Sequence, residues 1–163
     1  MDAVDQARAQ WARQRPDVDT SGMAVVARIL RLASLVGHRQ DAELSRHGLT
    51  TGEFEVLAAL RRADRPLRAH EVATLTSSPG ATVTKRLDRL GAAGLVERRV
   101  LERDRRGVLV TLSDDGRALI DEVLPDHTAR ERDVLDGLDD DERARLAELL
   151  ARVLATAERW HGP

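Results

Sequence analysis

The sequence predicts a mainly α-helical fold carrying one small β-hairpin. Three observations support this. Apolar residues recur at helical spacing in several separate stretches of the 163-residue chain. Those stretches are bounded by recognisable start and stop chemistry. Two runs with a period of two, residues 95–100 (LVERRV) and 107–112 (GVLVTL), flank a densely charged tip. A chain of this length suffices for one compact domain, which buries roughly two-thirds of its unfolded surface.

Residues 1–22 form an N-terminal extension. From residue 23 to 44, Met23, Val26, Ala27, Leu30 and Ala33 fall on one face of a long amphipathic helix, bounded by Ser21-Gly22 and His47-Gly48. The next start is sharper. Thr50 and Glu53 have capping-box spacing, and Leu49 and Phe54 are placed as the hydrophobic staple of a helix running to about Arg62.

Residues 69–75 predict a short helix with Val72 and Leu75 inward, followed by the tight connection TSSP. Ser78 suits an N-cap and Pro79 a first helical position, so another helix begins there and stops near Gly94, in a left-handed cap. Val83, Leu87 and Leu90 are its apolar stripe. Ser78, Thr82, Lys85, Arg86 and Arg89 make the opposite, cationic and hydrogen-bonding stripe. Two short helices with this partition read as a helix-turn-helix whose second member fits a major groove. The hairpin that follows makes it a winged helix, with Val108, Val110 and Leu112 on one face of a strand and the tip ERDRR at residues 102–106.

Ser113 caps a further helix, with Asp114 and Asp115 at its positively polarised start. Leu119, Ile120, Val123 and Leu124 form its apolar face, and Pro125 is expected to kink or end it. Asp139 and Glu142 frame a last helix striped by Leu146, Leu149, Leu150, Val153 and Leu154. The segments 23–48 and 113–163 carry more apolar stripe than a small winged domain needs. They are expected to bury it between two copies in a two-fold homodimer, leaving 49–112 as the winged DNA-binding part.

Charge is informative by segment. The net value is −2 over the chain, yet it is +1 over residues 1–65, +4 over 66–112 and −7 over 113–163. A cationic middle beside an acidic end is compatible with double-stranded DNA as partner despite the acidic pI. With no cysteine, disulfides, thiolate metal sites and cysteine nucleophiles are ruled out. His38, His47, His70, His127 and His161 lack metal-ligand spacing, so neither metal nor other cofactor is expected. There is no nucleophile elbow, Walker loop, zincin motif or dinucleotide turn, and the chain is expected not to be an enzyme. No long apolar run or leader-like start occurs, which predicts a cytoplasmic protein without membrane contact, on the nucleoid when bound to DNA. The rival reading is a winged helix used only for protein contact. It leaves cations on both the second helix and the wing tip without a purpose.

The order of elements, together with DRRGVLVTLSDDGR, resembles the MarR family of bacterial transcriptional regulators over about residues 23–158. Its most specific part is Asp104-x-Arg106, a strand, and the exit Leu112-Ser113-Asp114-Asp115-Gly116, with serine where the family more often has threonine. The resemblance implies a recognition helix contacting DNA through Ser78, Thr82, Lys85 and Arg89, to which the cationic stripe of the helix adds Arg86. It also implies a wing reaching the minor groove with Arg106; at the charged tip Arg105 is a further candidate for DNA, and Asp104 is expected to position the wing through an ion pair. The extra N-terminal segment ahead of LTTGEFEVLAALRRA resembles the PecS/HucR/TamR branch, which responds to urate or related small anions. By that resemblance the ligand residues are Trp11, Glu55, Arg62 and Arg86, with Glu55 where the branch has aspartate. Glu55 and Arg62 are seven residues apart and therefore share a helix face. The implied function is a repressor, bound to a pseudo-palindromic operator and released by a urate-like or polycarboxylate anion. A regulator of the same family with no small-molecule ligand is the alternative.

Overall fold

The structure, a computed structural model, describes residues 1–101 and 104–161, with side chains described for residues 1–100 and 108–160. The elements run α1 (Ala3–Gln14), α2 (Met23–Leu44), α3 (Thr51–Ala63), β1 (Leu67–Arg68), α4 (Ala69–Leu75), α5 (Gly80–Ala92), β2 (Val96–Leu101), β3 (Asp104–Leu112), α6 (Asp114–Asp133) and α7 (Asp140–Glu158). They divide into two compact units, residues 1–123 and 124–163. The early part of α6 belongs to the first unit because its Ile120 and Val123 are core residues.

In the first unit the core joins Phe54, Val56, Leu57 and Leu60 of α3 to Val72 of α4, Val83, Leu87 and Leu90 of α5, and Leu67 and Val110 of the sheet. The expected stripe of α5 is buried in full. Thr50 and Glu53 form the expected capping box, and Leu49 and Phe54 beside it are both buried. Gly94 ends the α5 segment with φ +73°, a conformation that a side chain disfavours. Ser113 caps α6 by accepting from the Gly116 N–H at 3.0 Å, and donates to the Gly94 carbonyl at 2.6 Å.

Several expectations are corrected. The hairpin gains a third strand, in the order β1-β3-β2, because the two residues of β1 pair with β3 in the register Leu67↔Val110. Of the β3 apolar residues only Val110 is fully buried, while Val108 is exposed and Leu112 intermediate. Leu75, the last residue of α4, is exposed and not inward. Ser78 does not cap α5: its hydroxyl donates to the Thr76 carbonyl, two residues back, at 3.0 Å. Of the two outcomes expected at Pro125, a kink or an end, the second is ruled out, since α6 continues to Asp133. Leu124 is exposed.

The N-terminal extension is itself helical over α1. Asp2 caps it through the Val4 and Asp5 N–H groups, and the same carboxylate takes Arg28 of α2 at 2.8 Å. Arg28 also reaches Asp5 at 2.6 Å. Its guanidinium, donating first of all, holds Asp2 down at about 2 and lowers Asp5 as well.

In the second unit the Asp139–Glu142 capping box opens α7 as expected. No residue of α7 is buried. The Arg143 guanidinium donates to the Leu135 carbonyl across the loop that precedes it.

Candidate nucleic-acid interface and effector cleft

The candidate recognition face is the side of α5 opposite its buried stripe. Thr82, Lys85 and Arg89 stand there at spacings of three and four, opposite the core stripe. Arg89 remains 69% exposed, yet its Nε lies 3.1 Å from Oε1 of Glu53. Glu53 is only 2% exposed, and its other oxygen accepts from the Thr50 N–H at 2.9 Å and the Thr50 hydroxyl at 2.8 Å. One carboxylate therefore caps α3 and tethers α5, satisfying the rule that a buried charge is paired. Capping-box spacing identified Glu53 as a local cap; its long-range bond to Arg89 was not visible in the sequence.

Arg86 and Ser78 have internal partners. Arg86 Nη1 donates to the Ser78 hydroxyl at 2.9 Å and lies 3.6 Å from Oε2 of Glu55. The guanidinium sits against the backbone of Gly52, where an added Cβ would collide with it. Sequence reasoning missed this cradle, although a glycine in the first turn of a helix is a signal of close approach.

The hairpin follows α5 directly in the chain. Asp104, Arg105 and Arg106 have their backbone in β3, while their side chains lie outside those described, and Glu102 and Arg103 lie outside the described residues altogether. Arg98 of β2 is bound to Asp88 of α5 at 2.7 Å, so the hairpin and the helix are fastened together. Arg65 and the Arg68 N–H both bind Glu71, at 2.7 and 2.8 Å, and fix the start of α4. The Arg65 hydrogen bond is the first cause that takes Glu71 down to about 2.

Beside the turn between α4 and α5 lies a cleft of about 390 Å³ lined by Phe54, Glu55, Ala58, Arg62, Leu75, Thr76 and Ser77. Two of the four expected ligand residues, Glu55 and Arg62, thus face one space, with Arg86 adjoining through Glu55. Arg62 Nη2 donates to the Leu75 carbonyl at 2.9 Å. Trp11 does not line the cleft: it is half-exposed on α1, which docks on α2 through Arg28. Among the described residues no helix is long and apolar enough to cross a membrane.

A helix-turn-helix with a cationic second helix, followed by an antiparallel hairpin fastened to it, defines a winged-helix DNA-binding protein. Comparison with known proteins makes this specific. The MarR family model matches residues 47–107. The HTH-type transcriptional regulator PecS of Dickeya dadantii is 37% identical over 146 residues, 88% of each chain. Bordetella bronchiseptica BpsR, solved in connection with regulation of its DNA binding by 6-hydroxynicotinic acid, is similar with TM-score 0.65 and 32% identity, over 77% of this chain and 98% of that one. A variant of Escherichia coli MarR complexed with operator DNA matches with TM-score 0.69 and 28% identity, over 84% and 99% of the two chains. The chain belongs to the MarR family of transcriptional regulators and is similar to its PecS-like branch.

Proposed function

We propose that this regulator is a homodimeric repressor that leaves a pseudo-palindromic operator when a small planar anion occupies the cleft between α3 and the helix-turn-helix turn. The carrying observation is that Glu55 and Arg62 share that cleft with Leu75 and Ser77 of the turn, next to the recognition helix. An arginine fork suits a carboxylate or a urate-like anion, and Phe54 and Leu75 supply apolar walls for a flat ring. BpsR, named with 6-hydroxynicotinic acid, supports a heteroaromatic anion as the ligand class. Trp11 stands outside the cleft of the single chain, so contact with the ring falls to Phe54 and Leu75, and charge recognition to Arg62.

On DNA, Thr82, Lys85 and Arg89 face the major groove, with Ser78 and Arg86 behind them setting the helix. Arg106, beside Arg105, reaches the minor groove, and Asp104 positions the wing. Two copies place their recognition helices in successive major grooves about 34 Å apart. Such a protein acts in the cytoplasm, on the nucleoid.

The test is direct. Binding to the intergenic duplex upstream of its own gene is expected to weaken steeply with salt, because phosphate contacts release counterions. Urate is expected to raise the melting temperature and to release that duplex. A protein that shows no affinity for this DNA at low salt is not an autoregulator. One that binds DNA and ignores urate, 6-hydroxynicotinate and polycarboxylates lacks the effector assigned to the cleft.

A further inference from the structure

The turn between α4 and α5 is held from two sides by side chains of other elements. On one side Arg62, in the last turn of α3, donates to the carbonyl of Leu75 at 2.9 Å. Leu75 is the last residue of α4, so this is one of the terminal carbonyls for which a helix supplies no donor of its own. On the other side the Ser78 hydroxyl donates to the Thr76 carbonyl and accepts from Arg86, which is itself paired with Glu55 of α3. Between the two anchors Ser77 has φ +47°, a left-handed conformation that a residue with a side chain keeps only where its surroundings over-determine it.

We propose that Arg62 is a positioning residue for DNA binding: its bond to the Leu75 carbonyl fixes the turn from which the recognition helix departs. An anion in the cleft competes for the same guanidinium, because a bidentate grip takes up the planar fork as a unit. The positioning role needs only the DNA-binding activity. The competition rests on the effector reading given above. Arg62 is exposed at the end of α3, so its truncation opens no cavity in the core.

The experiment is a titration of the ligand-free, full-length protein with the duplex upstream of its own gene at fixed salt. Arg62→Ala is expected to bind about tenfold more weakly, of the order of one charge-assisted hydrogen bond, with helicity by circular dichroism unchanged. Arg62→Lys keeps a donor within reach of the Leu75 carbonyl and is expected to recover most of the affinity. Wild-type affinity in Arg62→Ala overturns the proposal, and so does a loss that Arg62→Lys fails to recover. Adding urate separates the two readings. If urate leaves the wild-type complex intact while Arg62→Ala is weak without any ligand, the urate effector falls and the positioning role stands. If urate releases the wild type while ligand-free Arg62→Ala binds normally, the positioning role falls and Arg62 only binds the anion.

Discussion

The recognition helix and the last helix are similar in character and opposite in outcome. Both α5 and α7 are amphipathic, each with an apolar stripe at helical spacing. In α5 the stripe of Val83, Leu87 and Leu90 is buried within the chain, and the opposite face is tied down through Glu53 and Glu55. In α7 no residue is buried, and Leu146, Leu149, Leu150, Val153 and Leu154 stay 37–59% exposed. The long helix α2 behaves like α7, with Val26 and Leu30 of its expected stripe also exposed. An apolar stripe thus marks a surface that needs covering, and only the neighbours decide whether the same chain covers it. The winged part completes its own packing. The long helices leave theirs exposed in the single chain, where the second copy of the dimer proposed above would cover it.

The largest expected effect breaks the α7 side of this contrast. Placing a charge in the exposed stripe with Leu150→Arg costs little in an isolated chain but is severe in a desolvated interface. It is expected to give monomers by sedimentation and to lower operator affinity by about two orders of magnitude, since linked half-site binding is lost. A variant that stays dimeric and binds normally assigns the α7 stripe to some other purpose.

On the α5 side, Glu53→Ala removes the half of the α3 capping box that accepts from the Thr50 N–H, leaves the Thr50 half in place, and takes the carboxylate from Arg89. A cost of about 2 kcal/mol is expected, read as a fall of several degrees in melting temperature. Glu53→Gln keeps an acceptor for the Thr50 N–H and is expected to recover most of the stability, because glutamine also serves in a capping box. If both variants melt as the wild type does, Glu53 holds neither helix.

A smaller effect concerns the start of α4. Glu71 drops from its ordinary 4.5 to about 2 on folding, through Arg65 and the Arg68 N–H. Because the folded value is the lower one, its stabilisation is complete above about pH 4.5 and fades as the pH falls toward about 2. The stability gap between wild type and Glu71→Gln is therefore expected to narrow on acidification over that window, measured by denaturant titration. A gap that is constant with pH assigns the difference to packing instead.

The contrast between the two helices also marks how far the sequence could be read. The Thr50–Glu53 and Asp139–Glu142 boxes, the glycine cap at Gly94 and the α5 stripe are local in sequence, so spacing alone revealed them. What escaped is long-range. Two residues of β1 are a strand only because Val110 lies 43 positions away in the chain, opposite Leu67. Ser78 is a plausible cap by neighbourhood, but Arg86 claims its hydroxyl as acceptor. At the cleft, the shared face of Glu55 and Arg62 followed from helical geometry. The Arg62 bond to Leu75 did not, since no pattern announces a backbone carbonyl as partner. Trp11 came by resemblance alone and is absent from the cleft lining.

The smallest expected change in stability tests the finest of these contacts. Gly52 lies in the first turn of α3, where alanine is the better helix former, so on propensity Gly52→Ala is neutral or slightly stabilising. The added methyl would nevertheless occupy the place of the Arg86 guanidinium. That group is the far end of a flexible side chain and can swing away at little cost in folding, but it then gives up Ser78 and Glu55 together. Gly52→Ala is therefore expected to melt within a few degrees of wild type while binding operator DNA several-fold more weakly. Stability and affinity would part in one substitution. If they instead move together, Arg86 acts through the fold of α3 and the cradle has no separate role in setting the recognition helix.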